Sequence, residues 1–199
     1  MRKRSFDIAV SFIGLLLLLP LFLVIGIAIK LSSRGPVFYK GKRIGRHGEP
    51  FGMYKFRSMV ADAAKIGPSV TYQSDPRITK VGRFVRATKL DELPQLINVL
   101  KGDMSLVGPR PETDDHVIHY TSEQRRVLSV RPGIAGLAQI EWHDEESRIG
   151  GAENLDAVYK DIMQEKLALD REYVIESPSI RRDLSIILRT FSAMIGLND

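Results

Sequence analysis

A chain of 199 residues is long enough to bury one substantial core, and its 44% hydrophobic and 27% charged content excludes a disordered polymer. The net charge of +5 favours anionic partners such as phosphates, nucleic acid or an anionic membrane surface. With no cysteine, disulfides, thiolate catalysis and cysteine-based zinc sites are excluded.

Arg2, Lys3 and Arg4 open the chain, and after one early acid, Asp7, no charged residue occurs from Ile8 to Ile29. That run is long enough for a helix to cross a bilayer, which takes about 20 apolar residues. A signal peptide fits poorly, since the apolar core is too long and no polar stretch with small-residue cleavage spacing follows it. A buried soluble helix also fits poorly, because the run is apolar on every face. Lys30, Arg34, Lys40, Lys42 and Arg43 follow it, so both ends carry the basic residues that mark the cytoplasmic side. Pro20 lies near the middle, where proline breaks or kinks a helix. Charge and Pro20 leave two topologies balanced: a re-entrant helix–break–helix that returns to the cytoplasmic face, and a kinked spanning helix.

Ser32 to Pro36 is turn chemistry and marks a boundary. Val37 to Lys40 reads as a strand, Arg46 to Pro50 as a turn, and Phe51 to Phe56 as the returning strand. Lys40, Lys42, Arg43, Arg46, Lys55 and Arg57 make this region basic, for lipid headgroups or for phosphate. A short helix is expected over Ser58 to Lys65, a loop over 66–69 and a turn from Ser74. From Val81 to Ala87 basic and apolar residues alternate, with Arg86 five residues before Asp91 and able to approach it if the chain turns.

The stretch from Thr88 to Asp103 places Asp91 and Glu92 ahead of Leu93, Leu96, Ile97 and Leu100, which fall at helical spacing. Proline is tolerated only in a first turn, so Pro94 predicts a helix starting near Leu90 or Asp91. The carboxylates then sit at the positive helix end, either as a cap or as an anion-handling pair. Gly102 suits the helix's C-terminal cap. Pro109 and Pro111 hold the backbone around Arg110 stiffly, which suits a guanidinium to bidentate phosphate binding as much as to a surface turn. Arg131-Pro132-Gly133 repeats the device. No Walker A or GxGxxG pattern occurs. His116 and His119 follow Asp114-Asp115, and His143 leads an acidic stretch; solvated segments explain both more simply than metal sites. Asn154 to Leu169 reads as a helix. Ile180 to Leu197 reads as an amphipathic one, its stripe of Ile180, Leu184, Ile187, Leu188, Phe191, Met194 and Ile195 facing the core or a membrane surface, with the core the simpler choice.

These motifs resemble the bacterial sugar transferases of the monotopic phosphoglycosyl transferase type. The matching stretches are Lys3 to Asp7, Pro36 to Lys40, Lys42 to Gly45, Lys55 to Met59, Asp75 to Thr79, Val81 to Phe84, Leu90 to Gln95, Lys101 to Pro111 and Arg131 to Ile134. They stand in the family's order and cover most of residues 3–140. The resemblance implies transfer of a sugar 1-phosphate from a UDP-sugar to a polyprenyl (undecaprenyl) phosphate, with release of UMP. It implies Asp91 as nucleophile, forming a covalent phosphosugar intermediate, and Glu92 as its dyad partner and base toward the polyprenyl phosphate. It places magnesium at Asp91, and Lys55, Arg86, Arg110 and Arg131 around the phosphates. It favours the re-entrant topology broken at Pro20, on the cytoplasmic face of the inner membrane.

The expected fold is α+β and mainly helical, with an anchor over residues 1–35, a catalytic domain over 36–199 and amphipathic interfacial helices. Membrane lipid is a partner, nucleic acid is not, and a homodimer is admitted. A catalytically silent scaffold of the same fold is the competing class. The sequence departs from the family at Leu19, where some relatives carry serine, at Gly41, where glutamine is frequent, and over Glu141 to Gln164. That last segment could shape the sugar pocket, so the resemblance leaves the sugar open.

Overall fold

The computed structural model describes residues 2–67, 71, 75–144, 155–176 and 179–194, and only the backbone at 64, 65, 155–157 and 194. The expected loop over 66–69, the turn from Ser74, the acidic stretch beyond Asp144 and the tail past Met194 lie partly or wholly outside these.

The first element is helix α1, Arg2–Ser32, with Pro20 inside it. The expected division into two helices at Pro20 does not occur. Proline removes one backbone donor and crowds the preceding turn, but the helix continues through it. Strands β1 (Phe38–Ile44) and β2 (Pro50–Phe56) form the expected antiparallel hairpin, pairing Phe38 with Phe56, Gly41 with Met53 and Ile44 with Pro50. The turn between them is a short 3₁₀ segment, Arg46–Gly48. The helix expected over Ser58 to Lys65 shrinks to α2, Ala63–Ile66, because Met59 pairs with Ile78 in an isolated antiparallel bridge.

Helix α3, Lys80–Ala87, begins at Thr79, whose hydroxyl accepts the Gly82 amide at 2.9 Å. A Cβ at Gly82 would stand 1.8 Å from the Ser58 carbonyl oxygen, so glycine alone lets α3 lie this close to the chain after β2. Helix α4, Gln95–Lys101, ends at Gly102, whose φ of 92° is the left-handed cap conformation. Strand β3, Ser105–Val107, pairs in parallel with β4, Gly133–Ala135, in a stretch expected to be loop. Between them lie α5, Asp114–Val117, and a 3₁₀ segment, Gln124–Ser129. Helices α6 (Leu137–Glu141), α7 (Leu155–Ile175) and α8 (Ile180–Met194) complete the described chain.

The core has three main parts. Met53, Val99, Met104, Val107, Tyr173 and Ile186 join the hairpin, α4, β3, α7 and α8. Ile44, Val117, Tyr120, Val127, Met163 and Leu167 pack beneath α7. Ile25 and Ile29 of α1 pack with Phe56 and Val85, and Phe22 meets Phe56 edge-on with ring centroids 5.0 Å apart. The other end of α1 is bound by polar contacts. Arg4 donates to the carbonyls of Val99 (2.6 Å) and Leu100 (3.0 Å). Buried Asp7 accepts from the Ser105 hydroxyl at 2.8 Å. Lys3 pairs with Asp183 of α8. Both ends of α1 are thus fastened to the rest of the protein, while its outer face exposes Phe12, Leu17, Leu23, Val24 and Leu31.

Much of the stripe on α8 faces outward, while Ile187 packs against the core. Leu188 and Phe191 are 63% and 61% exposed, and Ile180 and Leu184 are exposed beside them. The buried face consists of Asp183, Ile186 and Ala193.

Candidate active site

Asp91 and Glu92 do not lie in the first turn of α4. They occupy a separate 3₁₀ turn, Leu90–Glu92, and Pro94 takes the position just before the helix. The reason is local: Pro94 has no N–H for the Leu90 carbonyl, which instead accepts from Leu93 at 3.2 Å in the tighter 3₁₀ pattern. Lys89, immediately before the turn, holds φ 54° and ψ 13°, a left-handed conformation uncommon for a residue with a Cβ. This sharp bend delivers the two carboxylates between α3 and α4. No side-chain capping bond forms at either segment, so the reading of Asp91 as a helix cap falls away.

Buried Asn98 sets the distance between α4 and β2. Its amide nitrogen donates to the Gly52 carbonyl at 2.8 Å, and its oxygen accepts the Tyr54 amide at 2.9 Å. That grip fixes the next residue of β2, Lys55, relative to the dyad. Lys55 Nζ lies 2.8 Å from Glu92 Oε1 and 4.0 Å from Asp91 Oδ2. Arg110, from the loop after β3, donates through Nη2 to the same Glu92 oxygen at 3.0 Å.

The two carboxylates therefore differ. Burial pushes the Asp91 carboxyl above the usual carboxylate range, and the neighbouring Glu92 charge adds to this, while Lys55, Arg86 and Lys89 work against it. Burial acts on Glu92 in the same sense, but the charges and hydrogen bonds of Arg110 and Lys55 outweigh it and hold that carboxyl well below the usual range. Glu92 is the fixed anion of the pair, and Asp91 is the more basic one.

Arg86 does approach the dyad: its charge acts on Asp91, and its Nη1 donates to the Ser58 hydroxyl at 3.4 Å. Arg131 is placed elsewhere. Its Nε donates to the Gly102 carbonyl at 2.8 Å, at the opposite end of α4. His116 stands 3.5 Å from Glu112 with its ring against Tyr159, and His119 is exposed.

Sequence reasoning missed Asn98, Glu112 and Lys166. Glu112 accepts from Tyr159 Oη at 3.0 Å and has Lys166 Nζ at 3.7 Å. Burial raises its carboxyl, but the His116 contact and the charges of Lys166 and Arg110 outweigh that and lower it from 4.5 to about 2. A carboxyl lowered in the folded state adds stability above its unfolded value and loses it as the pH falls toward the folded value. Glu112→Gln is therefore expected to cost about 2–3 kcal/mol at pH 7. In urea unfolding of the detergent-solubilised protein, the gap from wild type should narrow as the pH falls below about 4.5. A gap that stays constant down to pH 3 would show that the charge of Glu112 does not carry the effect.

Asp91, buried, and Glu92, half-buried, thus form a carboxylate pair bracketed by a lysine and an arginine, in a protein whose long apolar helix turns an exposed face outward. Residues 1–196 match the model of the family described as "Bacterial sugar transferase", and the chain belongs to that family. It is 40% identical to the UDP-glucose:undecaprenyl-phosphate glucose-1-phosphate transferase of Caulobacter vibrioides, over 98% of this chain and 70% of that protein. It is 42% identical to the galactosyl transferase CpsE of Streptococcus agalactiae serotype III, over 97% of this chain and 42% of that protein. It is 41% identical to the UDP-glucose:undecaprenyl-phosphate glucose-1-phosphate transferase of Escherichia coli K12, over 94% of this chain and 39% of that protein. The chain thus spans less than half the length of the last two.

Proposed function

We propose that the protein is a phosphoglycosyl transferase that moves a sugar 1-phosphate from a UDP-sugar to undecaprenyl phosphate. The observation that carries this reading is the division of labour in the dyad: Glu92 is clamped by Lys55 and Arg110, and Asp91 beside it keeps the higher affinity for a proton. A more basic carboxylate is the better nucleophile once ionised. Asp91 attacks the β-phosphorus of the UDP-sugar. The new Asp91–phosphorus bond forms as the bond to the bridging oxygen breaks, and UMP leaves with that electron pair. A phosphate oxygen of undecaprenyl phosphate then attacks the phosphosugar–enzyme and frees Asp91. Splitting the transfer into two displacements replaces one difficult step by two easier ones. Lys55 and Arg110 offset the charge of the diphosphate as it nears the carboxylate.

The lowered affinity of Glu92 for a proton makes it a poor base. Its part in this reading is to hold Lys55 and Arg110 in place, rather than to deprotonate the acceptor.

Among the described residues no group of three or more His, Asp or Glu side chains gathers into a metal cage. Magnesium does not need one: it is commonly held by one or two carboxylates, substrate phosphates and water. Asp91, with Lys55 Nζ at 4.0 Å from its Oδ2, fits that mode. When bound there, the ion would neutralise diphosphate charge.

The acceptor's tail stays in the bilayer, so the reading includes membrane attachment through residues 1–35, with residues 36–199 working on the cytoplasmic face. The fastening of both ends of the unbroken helix α1 to the rest of the protein supports an arrangement that keeps both ends on one side of the membrane. Because the chain has no native cysteine, Ser5→Cys and Arg34→Cys can each be probed alone. Neither should react with an impermeant maleimide in sealed cells, and both should react after lysis. Labelling of one position from outside would sink the same-side arrangement.

The activity is tested by UMP release from a panel of UDP-sugars with undecaprenyl phosphate and magnesium. The expected result is release with at least one sugar. No release with any of them rejects the proposal and leaves a silent scaffold.

A further inference from the structure

The loop that carries Arg110 has an unusual backbone. Pro109 and Pro111 have no N–H, so across these three residues the Arg110 amide is the single backbone donor. It donates to Asp170 Oδ2 at 3.0 Å. Asp170 lies on α7, far along the chain, and is buried at 3% exposure. The rest of the loop is held by its carbonyls: Pro109 accepts from the Gly133 amide at 2.9 Å, and Glu112 accepts from the Ile44 amide at 2.9 Å. Tyr159 and Lys166 of the same helix hold the Glu112 side chain. Helix α7 therefore touches this loop at three places along one face, and Asp170 holds the residue whose guanidinium meets Glu92.

We infer that Asp170 is a positioning residue for the transfer reaction: by taking the only backbone donor between the two prolines, it fixes the peptide of Arg110 so that the guanidinium stands on Glu92. This rests on the phosphoglycosyl transferase reading for its catalytic consequence, but not for the anchoring itself. Burial, with some help from the charge of Glu112, pushes the Asp170 carboxyl up to about 7 against the Arg110 amide and the Lys166 charge. Its Oδ1 is buried and makes no hydrogen bond among the described residues. A carboxylate kept in so costly a place, with one oxygen committed to a single amide, fits a residue retained for that contact rather than for stability. A faint sign of it stands in the spacing of α7. Lys166 and Asp170 stand four apart, one helical turn, in a helix whose other inward residues at that end are apolar.

The test uses the full chain in nanodiscs. Asp170→Ala removes the acceptor, and Asp170→Asn keeps a carbonyl oxygen in its place. Each is made alone and in an Arg110→Ala background. UMP release and amide hydrogen exchange over residues 107–112 are measured together. Asp170→Ala is expected to speed exchange at the Arg110 amide by at least about tenfold. It should cut kcat/KM by roughly tenfold to a hundredfold. Asp170→Asn should leave both within about threefold. In the Arg110→Ala background, Asp170→Ala should cost less than about twofold, because the group it positions is gone. An equal loss in both backgrounds, or exchange unchanged by Asp170→Ala, makes Asp170 an ordinary structural residue and overturns the inference. If wild type releases no UMP while exchange still responds, it is the transferase reading that fails and the anchoring that stands.

Discussion

Asp91→Asn is expected to abolish UMP release, with a loss of at least about 10⁴-fold in turnover, the scale on which removing one member of a nucleophilic constellation acts. The physical reason is narrow. Asparagine keeps the shape of the side chain and its place in the 3₁₀ turn, but it cannot open the covalent route. With radiolabelled UDP-sugar and no acceptor, wild type should trap label on protein and the variant should not. The companion measurement is stability. Burial raises the Asp91 carboxyl, so the fold disfavours its ionised form, and this cost appears as the pH rises through the raised value. Asp91→Asn removes it. The variant should melt no lower than wild type at pH 8, with the difference shrinking toward acid pH. Loss of activity together with loss of fold would point to a structural carboxylate, and label trapped on the variant would place the nucleophile elsewhere.

Lys55→Met is expected to lower kcat/KM by about 10²–10³-fold, the range seen when one electrostatic partner of a transition state is removed. It carries a second signature that a general loss of packing does not. Lys55 is the strongest influence lowering the Asp91 carboxyl, and it also holds Glu92 ionised. Without it, Asp91 keeps its proton to higher pH, so the acid limb of the kcat/KM profile should move to higher pH. An acid limb that stays in place while the rate falls would mean that the limb does not report Asp91. Methionine is preferred to alanine because it fills most of the volume of the lysine stem beneath the charge.

How far the site could be read from sequence depended on the range of the interaction. Asp91, Glu92 and Arg110 stood out because nearby prolines and glycines constrain their backbone, whereas Lys55 was one of six basic residues in its region until the family resemblance singled it out. The hairpin was legible for the same kind of reason: its strands are aromatic and β-branched around a turn. What failed was a local competition for one backbone donor at Pro94, and geometry that depends on distant partners. The turn at Leu90–Glu92 tightened because Pro94 withholds a donor, and Lys89 took a left-handed bend that no local preference of lysine predicts. Asn98 reads as one polar residue in an apolar helix until β2 is placed beside it. Arg131 carries the same proline–glycine setting as Arg110, yet the parallel pairing of β3 with β4 turns it to the far end of α4. The α8 stripe was correctly seen as apolar. Its direction was not, because a hydrophobic face is the same pattern whether it meets a core or another apolar surroundings.

The fastening of α1 at both ends changes what kind of part that helix is. A tether can be replaced by any other tether of similar length. Here Ile25 and Ile29 form one wall of the chamber that holds Phe56, the residue directly after Lys55, and Asp7 braces β3, from which the Arg110 loop departs. On the transferase reading the helix therefore shapes the site as well as attaching it. A chimaera carrying a foreign apolar helix is expected to lose the alignment, and a truncated form lacking α1 would uncover Phe56 and the Ser105 end of β3.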